Sequence, residues 1–353
     1  MPDSAEKKIS TDLPGEETEK KAPGRKKLWA VVFVFALLVA GAAIVGLLVL
    51  DRAINEISYD VETVGDANAE AVEPVWIDPA YAAGQGIYFP EKEPVQRPEI
   101  FNVLLLGTDY SISEKDPGRA DTNMLCSINT ETGDVKLVSF ERGIGVPVPG
   151  RGSDILTHAY TWGGPGLSQG IISQMFAVDV RGYVRVNFYD FINIIDAVGG
   201  VDVELTAQEA EALNRSVSYN DWGTVEVHEG WNHLDGHYAL WYSRLRAIDS
   251  DWNRQGRQRT VLKQVQEACR DMSVIELMKL ADSILPMIHT NLSREDVLVI
   301  LRSLPKLAKG TVSQLQVPDK NYRDNYIRCI PDYEAKKIDN FLYNAGYEIT
   351  SPY

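Results

Sequence analysis

The sequence predicts an α/β protein whose central sheet is mixed, mainly buried and flanked by helices. Two observations carry this. Short runs rich in Val, Leu and Phe ("NVLLLG", "DVKLVSF", "GYVRVNF", "GVDVEL") end on Gly, Asp or Arg and read as strands covered on both faces. Between them lie helical stretches such as "GLSQGIISQMFA" and "YDFINIIDAVG", and this alternation marks a layered α/β domain. "VLKQVQEACRDMS", "VIELMKLADSIL" and "SREDVLVILRSLPKLA" add amphipathic helices toward the C-terminus.

Four segments follow in order along the 353 residues. Residues 1–27 are polar, mixed in charge and broken by Pro and Gly, the composition of a disordered tail. Leu28–Leu50 carries no charge, and a helix rising about 1.5 Å per residue over that length crosses a bilayer core of about 30 Å. Lys20, Lys21, Arg25, Lys26 and Lys27 precede it, whereas Asp51, Glu56, Asp60 and Glu62 follow, so the tail is expected in the cytosol and the rest outside. The run is too long for a cleaved signal and lacks a small-residue cleavage site, so an uncleaved single-pass anchor in the cell membrane is expected. Residues 51–98 are acidic, contain Pro74, Pro79, Pro90, Pro94 and Pro98, and read as a stalk whose aromatics pack on the domain surface. Residues 99–353 form the domain, with its helical C-terminal part over 273–353.

The formal charge is -15, which argues against a nucleic-acid partner. The 3 cysteines are too few for a disulfide framework. Met124, Cys126 and Ile128 alternate on one strand face, so Cys126 reads as a buried thiol, leaving Cys269 and Cys329 as the pair open to oxidation.

Against the acidic background, "WYSRLRAIDSDWNRQGRQR" gathers Arg244, Arg246, Arg254, Arg257 and Arg259. Arg244 and Arg246 follow "YALWYS", and two residues apart on an extended strand they share a face. Arg254, Arg257 and Gln258 share a helix face, with Asp251 or Asn253 as its cap and the first amides left for an anion. Guanidinium is a planar, permanently charged fork suited to phosphate oxygens. The alternative is a solvated basic face.

Upstream, Asp109 ends the apolar strand "NVLLLG" and its "TD" extension, Asp121 precedes the next strand with Arg119 nearby, and "VKLVSFERG" delivers Arg142 to the end of another. Ligands of open α/β sheets collect at the carboxyl ends of strands. Two carboxylates and several arginines meeting there would hold a hard divalent cation and a phosphorylated ligand, since Mg²⁺ takes one or two protein carboxylates and leaves its other positions to water and phosphate. The bland reading of the aspartates is turn chemistry.

"NVLLLGTD", "RADT", "SFERGIGVPVPG", "AYTWGGP", "VNFYDFINIIDAVGGVDVEL", "LDGHYALWYSRLR" and "DWNRQGRQ" occur in this order over about Asn102–Asp271. Together they resemble the LytR–CpsA–Psr family of Gram-positive and related bacteria, whose plan of short tail, membrane helix and extracytoplasmic three-layer domain also matches. The resemblance implies a ligase that moves a glycopolymer (teichoic acid, capsule or similar) from a polyprenyl-pyrophosphate carrier to a peptidoglycan hydroxyl through a phosphodiester. It implies Mg²⁺, or Mn²⁺, on Asp109 and Asp121, and a pyrophosphate surrounded by Arg119, Arg142, Arg244, Arg246, Arg257 and Gln258, with Arg254 matched but less defined in role. Asp109, Asp121 and Arg142 are then the catalytic residues, one of the aspartates being a candidate for the proton acceptor. The chain departs from the family in one place: Glu141-Arg142-Gly143 stands where Pro-Arg-Asp is usual, with Glu141 a possible substitute for the missing acid.

The lipid tail calls for an apolar slot, for which Ile171, Ile172, Met175, Phe176, Phe191, Ile194 and Ile195 are candidates, though plain core suits them equally. Ser168 in "GLSQG" has no preceding strand and reads as a helix cap rather than a nucleophile. His233 and His237 lack a further zinc ligand nearby, and His158 reads as a hydrogen-bonded structural histidine. Two other functions remain open on the sequence: a lipid-pyrophosphate hydrolase, with water as acceptor, and a non-catalytic lipid-binding regulator of the envelope.

Overall fold

A computed structural model describes residues 58–59, 72–109, 118–219, 226–319, 327 and 329–352, all within one unit spanning 49–353. The expected tail and membrane helix lie outside the described residues, among which no helix is long and apolar enough to cross a membrane.

The mixed α/β expectation holds. In chain order the strands are β1 (Ser58–Tyr59), β2 (Ile100–Thr108), β3 (Ala120–Asn129), β4 (Val135–Phe140), β5 (Gly145–Val148), β6 (Gly152–Ile155), β7 (Gly182–Asn187), β8 (Val201–Leu205), β9 (Gly230–Leu234), β10 (His289–Thr290) and β11 (Val312–Val317). The helices are α1 (Pro79–Gly84), α2 (Leu156–Phe176), α3 (Phe188–Val198), α4 (Ala207–Tyr219), α5 (Gly236–Arg244), α6 (Asp251–Cys269), α7 (Val274–Ile284), α8 (Arg294–Leu307) and α9 (Pro331–Tyr343). The main sheet is 7-stranded in the order β1-β10-β7-β2-β3-β4-β11, with β2–β7 and β4–β11 parallel and β2–β3 and β3–β4 antiparallel. Two two-stranded antiparallel sheets, the hairpin β5–β6 and the pair β8–β9, stand apart from it.

The period-2 geometry of β2 explains the layers. Leu104 and Leu106 join the core beneath α2 and α9, whereas Phe101 and Val103 join a second core with residues of α8. Both faces are therefore covered. A further core joins α3, α4, α5 and α6 to the β8–β9 pair.

Register sets where chemistry can occur. Thr108 pairs with Ala120 across the antiparallel β2–β3 ladder, so Asp109 and Asp121 meet at one sheet edge. The carboxyl ends of β4, β7 and β11 come to the same edge because β7 is parallel to β2, and β4, antiparallel to β3, is parallel to β11.

Several local expectations are corrected. "YALWYS" is helical: Asp235 accepts a hydrogen bond from Tyr238 N and starts α5, whose apolar side enters the core. Ser250, not Asp251 or Asn253, caps α6 through Asn253 N. Ser168 lies inside α2 and is buried, beyond a kink at Gly163–Gly164 where Pro165 restarts the helix. All 3 cysteines are free thiols, Cys329 packing against the first core while Cys269 closes α6. The proposed slot residues are divided: Ile171, Ile172, Met175 and Phe176 fill the first core, whereas Ile195 and Phe191 belong to that around β8–β9.

The stalk expected over 51–98 also differs, because from residue 72 the chain is part of the domain. Ile77 is 3% exposed, Ala82 joins the first core, Val75 N bonds to Gly166 O, and Lys92 pairs with the fully buried Asp339 of α9 at 2.7 Å. Gly170 makes this docking possible: a Cβ there would stand 2.0 Å from Val75 O. In a free helix Gly→Ala stabilises by about 1 kcal/mol. Here Gly170→Ala is expected to cost about 1–3 kcal/mol by overpacking, and to expose residues 72–98 to protease; an unchanged urea midpoint and digestion pattern would contradict the docking.

Candidate active site

The edge defined by that register is built around Asp121. Its Oδ1 accepts from Arg142 NH1 at 2.6 Å and lies 3.4 Å from Thr157 Oγ1, in the first turn of α2. Arg254 NH2 donates to the Asp121 carbonyl at 3.0 Å. Burial alone would raise the Asp121 carboxyl, but Arg142, Arg254 and Arg246 hold it below the ordinary range. Elements distant in sequence thus meet there: β3, the turn after β4, and the starts of α2 and α6.

Asp109 faces the same space from the end of β2. It accepts from Arg119 N and donates its own amide to Arg119 O at 3.1 Å. Gly118, at φ +76, permits this closure, since a Cβ there would stand 2.7 Å from Asp109 O. Burial raises the Asp109 carboxyl, and the Asp121 charge adds to the rise. Two carboxylates that oppose each other's ionisation on adjacent strand ends suit a hard divalent cation keeping water or phosphate in its other positions. Among the described residues no larger set of metal-binding side chains occurs.

Arg244 ends α5, and Arg246 follows the extended, buried Leu245. The Arg244 guanidinium lies 4.3 Å from the Phe188 ring centroid and 4.8 Å from that of Trp241, within the fields of Asp109 and Asp121. Among the described residues, no carboxylate is bonded to Arg244 or Arg246.

Asp251 sits behind Asp121. It contacts Arg254 at 3.0 Å and Arg142 Nε at 3.4 Å, joining both guanidiniums. Glu141, 5% exposed, accepts from Gln255 Nε2 at 2.6 Å. Burial first, and then the Asp251 charge, push its carboxyl up to about 7, and in its protonated form it can donate to Asp251.

Asp109, Asp121, Arg142, Arg244, Arg246 and Arg254 are brought together, and Arg119 contributes backbone bonds beside them. Arg257 is not brought to Asp121: it bonds Glu209 at 2.7 Å, the Leu245 carbonyl at 2.8 Å and Asp249, packing α6 on α4 and α5. Gln258 Nε2 reaches Ser243 O at 3.4 Å. Arg259, buried, donates to Ser139, Gln314 and Gln316 and fastens α6 to β4 and β11. Sequence reading missed Asp251 as a link between guanidiniums, although its three-residue spacing from Arg254 held the signal. Thr157, Gln255 and Phe188 had no local signal.

Glu141 yields a test. Its folded value lies above the ordinary 4.5, so the native state binds this proton more tightly than the unfolded chain. The resulting stability is complete below the unfolded value and is lost as pH rises through about 7. Glu141→Gln, permanently neutral, is therefore expected to gain on the native chain in urea midpoint between about pH 5 and about pH 8. A constant difference across that range would contradict the buried neutral acid.

The LytR_cpsA_psr family model matches residues 80–345. The chain is 30% identical over 339 residues to the polyisoprenyl-teichoic acid–peptidoglycan teichoic acid transferase TagU of Oceanobacillus iheyensis, covering 92% of this chain and 96% of that protein. Among solved structures it is similar to TagT bound to LIIa-WTA, with TM-score 0.58 and 26% identity over 72% of this chain and 96% of that one. It is also similar to TagT with bound octaprenyl pyrophosphate lipid, with TM-score 0.53 and 25% identity over 71% and 94%. Extent of match, fold and ordered motifs agree: the chain belongs to the LytR–CpsA–Psr family.

Proposed function

We propose that this chain is a membrane-anchored, extracytoplasmic phosphotransferase that moves a glycopolymer from a polyprenyl-pyrophosphate carrier to a peptidoglycan hydroxyl, with Mg²⁺ held by Asp109 and Asp121. One observation carries the reading: Arg244 and Arg246 share the fields of the site's carboxylates without being bonded to one, leaving cationic forks for an outside anion. The transferase name of the TagU relative and the octaprenyl pyrophosphate in TagT support it. The uncharged Leu28–Leu50 run with its basic flank supports the anchor and its orientation.

A pyrophosphate diester brings two ionised oxygens, and transfer adds charge to the departing lipid phosphate. Catalysis of phosphoryl transfer is chiefly positioning and electrostatic stabilisation. Arg142, fixed between Asp121 and Asp251, and Arg244, set on Phe188, meet that charge from two directions. The acceptor hydroxyl, for which the family resemblance implies the 6-position of a muramic acid sugar, attacks the sugar-bearing phosphorus. The phosphoanhydride bond breaks, and its electron pair leaves with polyprenyl phosphate. When bound, Mg²⁺ would neutralise charge on the phosphate oxygens. An apolar cleft of about 630 Å³, lined by Ile87, Phe89, Met175 and Ile327, reaches Gly145 in the strand after Arg142 and suits the lipid tail.

With labelled lipid-linked glycan and peptidoglycan fragments, label is expected to move to the fragments; release into water alone would favour a hydrolase. Arg244→Ala should keep the fold and weaken binding of a soluble prenyl pyrophosphate about 10–100-fold, the range for one charge-assisted contact. Unchanged affinity by titration would remove Arg244 from the site. Asp109→Asn should abolish stimulation by divalent cation, and stimulation retained at the native level would contradict its metal role.

A further inference from the structure

The turn of α2 that touches Asp121 carries a side-chain chain unused by the mechanism above. Arg151 lies 3.4 Å from the Trp162 ring centroid, Trp162 Nε1 donates to Asp154 Oδ2 at 2.8 Å, and Asp154 Oδ1 stands 2.9 Å from His158 Nδ1. Ile155 N adds a third bond to Asp154, at 2.8 Å. A carboxylate so surrounded stays ionised and can only accept. Nδ1 therefore carries a hydrogen, which leaves Nε2 as the ring nitrogen that can accept one. The side chain is 36% exposed.

Its neighbours on the helix locate it. Thr157, next in sequence, reaches Asp121 and donates its amide to Arg142 O at 3.0 Å. Thr161, three residues on, bonds Gly118 O at 2.7 Å, and Gly118 packs against Asp109. Thr157 and Thr161, four apart, share the helix face that meets Asp121 and Gly118, and His158, one residue from the first and three from the second, flanks that face. Other acceptors are less available: Asp121 Oδ1 already receives Arg142 and Thr157, and Glu141 is buried and bonded to Gln255.

We propose that His158, held in one tautomer and orientation by Asp154, Trp162 and Arg151, is the general base that takes the proton from the acceptor sugar hydroxyl. The assignment rests on the transferase reading. The hydroxyl proton passes to Nε2 as its oxygen bonds to phosphorus, the phosphoanhydride breaks, and polyprenyl phosphate leaves with the electron pair. The imidazolium then returns its proton to water. Asp154, Trp162 and Arg151 are positioning residues in the same sense as the carboxylate of a Ser-His-Asp triad.

The full chain in detergent, a labelled short-chain polyprenyl-pyrophosphate glycan and a peptidoglycan glycan oligomer test this. His158→Ala should lower the transfer rate about 10²–10⁴-fold, the usual worth of a general base, with donor affinity within about twofold and part of the rate restored by added imidazole. Asp154→Asn, nearly isosteric, should lower the rate at least about tenfold without restoration, and decides the matter if the alanine variant does not fold. A loss below about tenfold, or a His158→Ala loss that imidazole does not relieve, overturns the assignment. No transfer by the native chain would instead sink the transferase reading, and this assignment with it.

Discussion

The site depends on the partly buried ion pair between Asp121 and Arg142, at 2.6 Å. Like charges do not gather unaided, and here Arg142, Arg246 and Arg254 crowd one sheet edge. Asp121 makes the gathering possible from the front and Asp251 from behind, each bonded to two of the guanidiniums or their neighbours. Desolvated charge is tolerated only when paired in good geometry. Removing either carboxylate would therefore leave cations in mutual repulsion, a loss reaching beyond the one bond deleted. Arg254, 4% exposed, is the member for which this matters most.

The same logic accounts for the Glu141-Arg142-Gly143 departure. A Cβ on Gly143 would lie 3.8 Å from Glu141 Oε1 and 3.2 Å from Ile327 Cδ1. The glutamate carboxyl thus occupies the space into which an acid at position 143 would reach. It enters from two residues earlier and is secured by Gln255. Burial and the Asp251 charge raise its carboxyl to about 7, and Asp251, which contacts both Arg142 and Arg254, links it to the arginines.

Much of the architecture was legible from strand composition, because a strand buried on both faces is mostly apolar; Leu104 and Phe101, both on β2, serve opposite cores. The aspartates were legible as residues ending or starting strands, and β2–β3 register makes that placement meaningful. Local misreadings came from ambiguous periods: "YALWYS" is short and aromatic, and only its Asp235 cap identifies it as helix. The division of arginines could not be read. Arg257 and Arg259 have the same charge and helix as Arg254, yet Glu209 and Ser139, from elements distant in sequence, and Asp249, just before the helix, turn them into packing residues. That distinction exists only in three dimensions. The docking of residues 72–98 was hidden for the same reason, since proline-rich acidic texture is also that of a linker.

A double-mutant cycle on Asp121 and Arg142, read as affinity for a soluble prenyl pyrophosphate, tests the central claim most directly. If Asp121 organises the guanidiniums, Asp121→Asn and Arg142→Gln will be non-additive by more than about 1 kcal/mol. Losses that add to within about 0.5 kcal/mol would mean the two act independently, and the pair would not be what assembles the site.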